Sequence, residues 1–211
     1  MTSSRGLGDV YKRQVLKTKG AIHYLTNEEI EKEKEYLFSI SSKLRDKNII
    51  SLIIGGPTQY YDYSDRNIQE IFSKVNYLVK ENNLNLVVIP SMRTPKGTIE
   101  HAKIYFGNDH LVLDGVDKKA YLSALAISKH IVITCDSSSM ISEAALTGKP
   151  IYIATIPPKK NDKRFKNFRK LFQEMNIVKE LGEKLENWNY EKLDETNRVA
   201  SICLLYTSPS P

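Results

Sequence analysis

His130 to Ala154 reads HIVITCDSSSMISEAALTGKPIYIA: an apolar run, a polar loop, a short helix and a second apolar run in direct succession. His130 to Cys135 is β-rich without polar alternation, the pattern of a strand buried on both faces. Asp136-Ser137-Ser138-Ser139 forms a loop in which Ser139 is the expected helix cap, Gly148 stops the helix, and Pro150 to Ala154 is the next strand. The same unit recurs upstream. Asn48 to Ile54 (NIISLII) ends at Gly55-Gly56, and Ile68, Ile71, Phe72, Val75, Leu78 and Val79 then follow at helical spacing. Leu84 to Ile89 is a further strand, closed by Pro90-Ser91-Met92-Arg93-Thr94-Pro95. His110 to Leu113 is a weaker strand, and Lys118 to Ser128 an Ala/Leu-rich helix. Nearer the start, Thr26 and Glu29 form a capping box, and Ile30, Leu37, Ile40 and Leu44 share one face of a single expected helix. This alternation predicts an α/β fold, a doubly wound Rossmann-like parallel sheet with right-handed crossovers.

Composition narrows the function. The 211 residues are 41% apolar and 27% charged, which suits one soluble globular domain, or at most two small ones, and excludes disordered or disulfide-framed chains. No apolar run approaches the roughly 18 residues of a membrane span, and no secretory h-region is present, so the reading is cytoplasmic or peripheral to a membrane. Cys135 and Cys203 are the only cysteines, without C-x-x-C or H-x-x-x-H, so no metal site is expected, and no cofactor is called for. A net charge of +6 suits phosphate handling at one site better than coating a nucleic acid, so no nucleic-acid partner is expected. Met1 to Gln14 (MTSSRGLGDVYKRQ) and Cys203 to Pro211 (CLLYTSPSP) lack any hydrophobic period and resemble adapter read-through. The expected domain is therefore 15–202, with 1–14 and 203–211 as foreign segments, and the interior reads as a piece of a longer protein.

In such a sheet, ligands bind beyond the carboxyl ends of the strands. Three loops compete there. Gly55-Gly56 permits close backbone approach to a phosphate, although a tight turn out of the strand explains the same residues. Thr94 is placed to cap a helix beginning at Pro95, with Arg93 beside it for a phosphate or for a neighbouring carboxylate. In the loop after the fourth strand, Ser137 and Ser139 are phosphate candidates, Asp136 is a candidate for the sugar, and Glu143 is one for the ribose hydroxyls. An exposed acid near a helix end is the plainer account of Glu143.

These segments together resemble the Elm-type mitochondrial fission family, whose bacterial members are often labelled nucleoside-diphosphate-sugar epimerases. The resemblance is carried by Gly20 to Thr26 (GAIHYLT), Gly55-Gly56, Ser91 to Pro95 (SMRTP) and Asp136 to Pro150 (DSSSMISEAALTGKP). Arg164-Phe165 with Phe168, Trp188 with Tyr190, and Leu193-Asp194-Glu195-Thr196 extend it. It departs at Met92, where the family has arginine, and at Ser138, where it has valine. The resemblance implies the C-terminal, nucleotide-sugar-binding half of a GT-B-like glycosyltransferase, inactive without its N-terminal half. It places Gly55 and Gly56 at the diphosphate, Arg93 and Thr94 at the cleft, and Ser137, Ser139 and Glu143 at phosphate and ribose. The implied partners are a nucleoside diphosphate sugar and the missing N-terminal half. No catalytic residue is assigned: His23, His101, His110 and His130 all read as structural or exposed. A non-enzymatic alternative rests on Lys159, Lys160, Lys163, Arg164, Lys166, Arg169 and Lys170 around Phe165, Phe168, Leu171 and Phe172, a basic amphipathic stretch suited to an anionic membrane surface. A solvated helix with its aromatics in the core is the competing account.

Overall fold

The computed structural model describes residues 16–207. Six strands, β1 (Ile49–Ile54), β2 (Asn85–Pro90), β3 (Leu111–Val112), β4 (Ser128–Thr134), β5 (Ile151–Ala154) and β6 (Val178–Glu180), form one sheet in the order β3-β2-β1-β4-β5-β6. Every pairing is parallel. Ile50 of β1 lies opposite Leu86 of β2 on one side and His130 of β4 on the other. All six residues of β1 are buried, as the unbroken apolar run requires of a central strand covered on both faces. The chain order reverses between β1 and β4, and this reversal makes the crevice at their carboxyl ends the switch point where ligands bind in such folds.

Helices α1 (Asn27–Lys32), α2 (Tyr36–Ile40), α3 (Asp65–Glu81), α4 (Lys96–Phe106), α5 (Lys118–Ile127), α6 (Ser138–Ala144), α7 (Lys163–Glu174) and α8 (Glu195–Thr207) accompany the sheet. α3 buries the six apolar residues read from its period, and Ser64 caps its first turn. The Thr26–Glu29 capping box forms as expected. Gly148 ends the short 3-10 turn after α6 with φ of 72°, a left-handed conformation that favours glycine. Next to it, Lys149 Nζ donates to the carbonyl oxygens of Leu125 (2.8 Å) and Ala126, closing the C-terminus of α5. Burial pulls this lysine down to about 8.

The single helix expected over residues 27–44 is broken instead. At the break Ser123 of α5 takes over the backbone: its hydroxyl donates to the Lys34 carbonyl and accepts from the Leu37 N–H. Ile40, expected on the buried face, is 45% exposed as a result. The short strand β6, which no sequence period announced, completes the sheet edge beside β5. At the C-terminal end α8 runs to Thr207, so Cys203 to Thr207 continue a helix, whereas 1–14 and 208–211 lie outside the described residues.

Candidate functional site at the carboxyl ends of the strands

Asp136, the second residue after β4, organises the switch point. Its side chain is fully buried. It accepts the Gly56 N–H (3.1 Å), the Tyr63 hydroxyl (2.5 Å) and the Arg93 guanidinium (2.8 Å). Thr134 Oγ1 accepts the Gly55 N–H at 2.8 Å. Thr94 Oγ1 lies 2.8 Å from the Ile54 carbonyl and 2.6 Å from that of Gly55, and it accepts the Ser91 N–H. Four loops and strand ends are thereby tied into one knot. Burial, reinforced by the Asp136 charge, drives the Tyr63 hydroxyl far above its ordinary range, so it remains a proton donor.

This knot changes several expectations. The close approach at the two glycines is real, but the chain itself fills it. A Cβ on Gly55 would stand 2.2 Å from Asp136 Oδ2, and one on Gly56 2.0 Å from the Arg93 carbonyl oxygen. Thr94 does not cap α4, whose N-cap is Pro95, because its hydroxyl is held by the carbonyls of Ile54 and Gly55. Arg93 has the neighbouring carboxylate anticipated as one alternative, and its side chain stays 44% exposed. The Asp136 side chain has no exposed surface, and its bonds are spent on Gly56, Tyr63 and Arg93.

The second cluster is built on α6. Its cap is Ser137, which accepts the Met140 N–H, and not Ser139, which lies exposed in the first turn. Glu143 therefore falls in the last part of the short helix. Its carboxylate accepts the Tyr121 hydroxyl at 2.6 Å. Burial, and then the Glu143 charge, raises that hydroxyl well above its ordinary value, which keeps the proton on tyrosine. Glu143 and Tyr121 share the wall of a pocket of about 370 Å³ with His23, Tyr24, Lys118 and Leu122. A second pocket, about 520 Å³, is lined by Lys19, Ile22, Ser138, Arg164 and Phe168 among others. Consecutive parts of one segment, 18–22 and 23–25, contribute to the two pockets. That segment is pinned to α6 by the bond from Ala21 N–H to Ser142 Oγ (2.9 Å) and to α8 by Glu195, which accepts the Lys19 N–H (2.8 Å). None of Gly55, Gly56, Arg93 or Thr94 lines either pocket.

α7 packs much of its apolar side inward. Phe172 is buried, and Phe165 packs edge-on against Tyr60 and Tyr61 with ring centroids 5.4 and 5.7 Å apart. Arg169 is itself buried, donating to Tyr61 and Asp162, while Phe165, Phe168 and Leu171 are partly buried. Among the described residues no helix is long and apolar enough to cross one.

Sequence reasoning passed over Tyr63 and Tyr121, which set the two carboxylates. A tyrosine inside the Ala/Leu-rich run of α5 was the available signal, since a buried phenol needs a partner for its hydroxyl.

Residues 6–205 match the family described as mitochondrial fission ELM1. The chain is 30% identical over 164 residues to the uncharacterized protein RP120 of Rickettsia prowazekii, covering 74% of this chain and 46% of that protein. It is 27% identical over 199 residues to mitochondrial fission protein ELM1 of Arabidopsis thaliana, covering 89% and 44% respectively. The chain thus spans less than half the length of these relatives. Among solved structures, a Listeria monocytogenes protein assigned as a UDP-N-acetylglucosamine 2-epimerase superposes with a TM-score of 0.50 at 16% identity, over 90% of this chain and 42% of that one. That likeness is one of fold, and it agrees with the Rossmann-like, GT-B-like architecture. With its family match running almost from end to end, the chain belongs to the mitochondrial fission ELM1 family.

Proposed function

We propose that this domain binds a nucleoside diphosphate, as the nucleotide-sugar-binding half of a GT-B-like protein. The observation that carries the reading is Glu143, a carboxylate held by Tyr121 in the wall of a pocket next to a second one with cationic Lys19 and Arg164. An acceptor-only group suits the two hydroxyls of a ribose, and neighbouring cations suit a diphosphate. The name of the Listeria fold neighbour, an enzyme of a UDP-sugar, agrees with this class of ligand. Ser139, exposed in the first turn of α6, and Arg93, whose side chain is partly exposed, are further candidates for the phosphates, although neither lines the two pockets. Ser137, Gly55, Gly56 and Thr94 serve this reading by shaping the loops.

Glu143→Ala is expected to weaken UDP binding by about 1–3 kcal/mol, the scale of a hydrogen bond to a charged group. It also leaves the Tyr121 hydroxyl without its acceptor, at a stability cost of about 1–3 kcal/mol. Glu143→Gln keeps an acceptor for Tyr121 and removes the charge, so it should lose UDP affinity with little change in melting temperature. Calorimetric titration of UDP and of inorganic pyrophosphate against both variants decides the matter. Equal losses for the two ligands would make Glu143 a general electrostatic residue, and no loss for either would remove it from the site.

A further inference from the structure

We infer that Tyr24 is the platform on which the nucleobase stacks, and so a residue that makes the site select a nucleotide over a simple phosphate ester. This rests on the ribose reading of Glu143 and adds the base to it. Tyr24 is 98% exposed, yet it lines the same pocket as Glu143 and Tyr121. A lone exposed aromatic is ordinary; this one differs in how its backbone is held. On one side, His23 uses both backbone groups on Thr196 of α8: its N–H donates to Oγ1 (3.1 Å), and its carbonyl accepts from it (2.5 Å). On the other side, Thr26 is locked in the capping box with Glu29, with bonds of 3.1 and 3.2 Å. The ring thus projects from one of the two residues left between two fixed points, and the other, Leu25, turns back onto the core. Leu25 and the buried Leu122 add apolar surface to the pocket wall, while Glu29, Lys118, Tyr121, Glu143 and His23 make up its polar part. A ligand with one flat, weakly polar end and a hydroxyl-bearing body matches that order, and every base offers a π face to an aromatic ring.

The test uses the full chain with Tyr24→Ala and Tyr24→Phe, titrated with UDP, ADP and ribose 5-phosphate, the last carrying no base. Tyr24 is on the surface, so both variants should melt with the wild type. Tyr24→Ala is expected to weaken UDP and ADP about 5- to 150-fold, the range for removing one base–aromatic stack. Ribose 5-phosphate should be unchanged, and Tyr24→Phe, which keeps the ring, should restore nucleotide binding. Wild-type affinity in Tyr24→Ala would overturn the proposal. So would an equal loss for ribose 5-phosphate, or a Tyr24→Phe variant as weak as Tyr24→Ala, which would indicate a hydroxyl contact. Glu143→Gln titrated with UDP and ribose 5-phosphate separates the two readings. If it loses both ligands while Tyr24→Ala loses none, the base platform falls and the ribose reading stands; a wild-type chain that binds no UDP overturns both.

Discussion

Asp162→Ala is expected to destabilise the domain by about 3–5 kcal/mol, the cost of leaving one partner of a buried ion pair behind. The Asp162 and Arg169 side chains are 2% and 8% exposed, with the guanidinium 3.2 Å from the carboxylate. Tyr61, wholly buried, donates its hydroxyl to the same carboxylate at 2.6 Å and accepts from Arg169 at 2.8 Å. Without Asp162, the arginine keeps only that hydroxyl and the Cys135 carbonyl, 3.4 Å away. Urea unfolding should show a lower midpoint with an unchanged slope. The triple variant Asp162→Leu, Arg169→Met and Tyr61→Phe should recover much of the loss, because a buried polar network can be replaced by apolar groups at little net cost once no hydroxyl is left without a partner. A loss below about 1 kcal/mol in the single variant would mean that the network does not hold α7. Burial alone would raise the Asp162 carboxyl, but hydrogen bonds from Tyr61 and Arg169 outweigh it and bring the group below the ordinary 3.8. With the folded value below the unfolded one, this stabilisation is complete above about pH 4 and disappears as pH falls through the folded value. The gap between wild type and Asp162→Ala should therefore narrow only in that acid range.

Gly56→Ala should cost at least about 3 kcal/mol, at or beyond the upper end of ordinary overpacking. The new methyl would meet the Arg93 carbonyl oxygen at 2.0 Å and its Cβ at 2.5 Å. Neither can withdraw easily, since Ser91 and Thr94 tie that loop to the end of β1. Gly97→Ala is the matched control: it lies in α4 with nothing within 4 Å of the added carbon, and it should gain about 0.5–1 kcal/mol from helix propensity. Thermal unfolding of the two variants side by side checks both signs. Equal, small effects would show that the Gly56 loop yields to the methyl group.

Much of the scaffold could be read directly from local pattern. The unbroken apolar runs of β1, β2, β4 and β5 and the period of α3 are properties of neighbouring residues, and they keep their meaning in any tertiary setting. Caps were legible where the signature was complete, as at Thr26 with Glu29, and misplaced by two residues in the serine run, where three adjacent hydroxyls satisfy the same rule. The break after α1 and the strand β6 were not legible. The first depends on Ser123, 86 residues from its Leu37 partner, and the second on three residues that are a strand only because β5 offers an edge.

By itself, then, the sequence determined the parallel α/β scaffold, the carboxyl-end loops as the region of interest and Glu143 as a residue to watch. Which side chains in those loops face outward was decided only by the tertiary structure. Asp136 is paired with Arg93 across 43 residues and Glu143 with Tyr121 across 22. Nothing local distinguishes the first carboxylate, sealed inside the knot, from the second, set in a pocket wall. The difference arises because the strand order brings β1, β2 and β4 side by side, so that their loops consume the polar groups of one another before any ligand can.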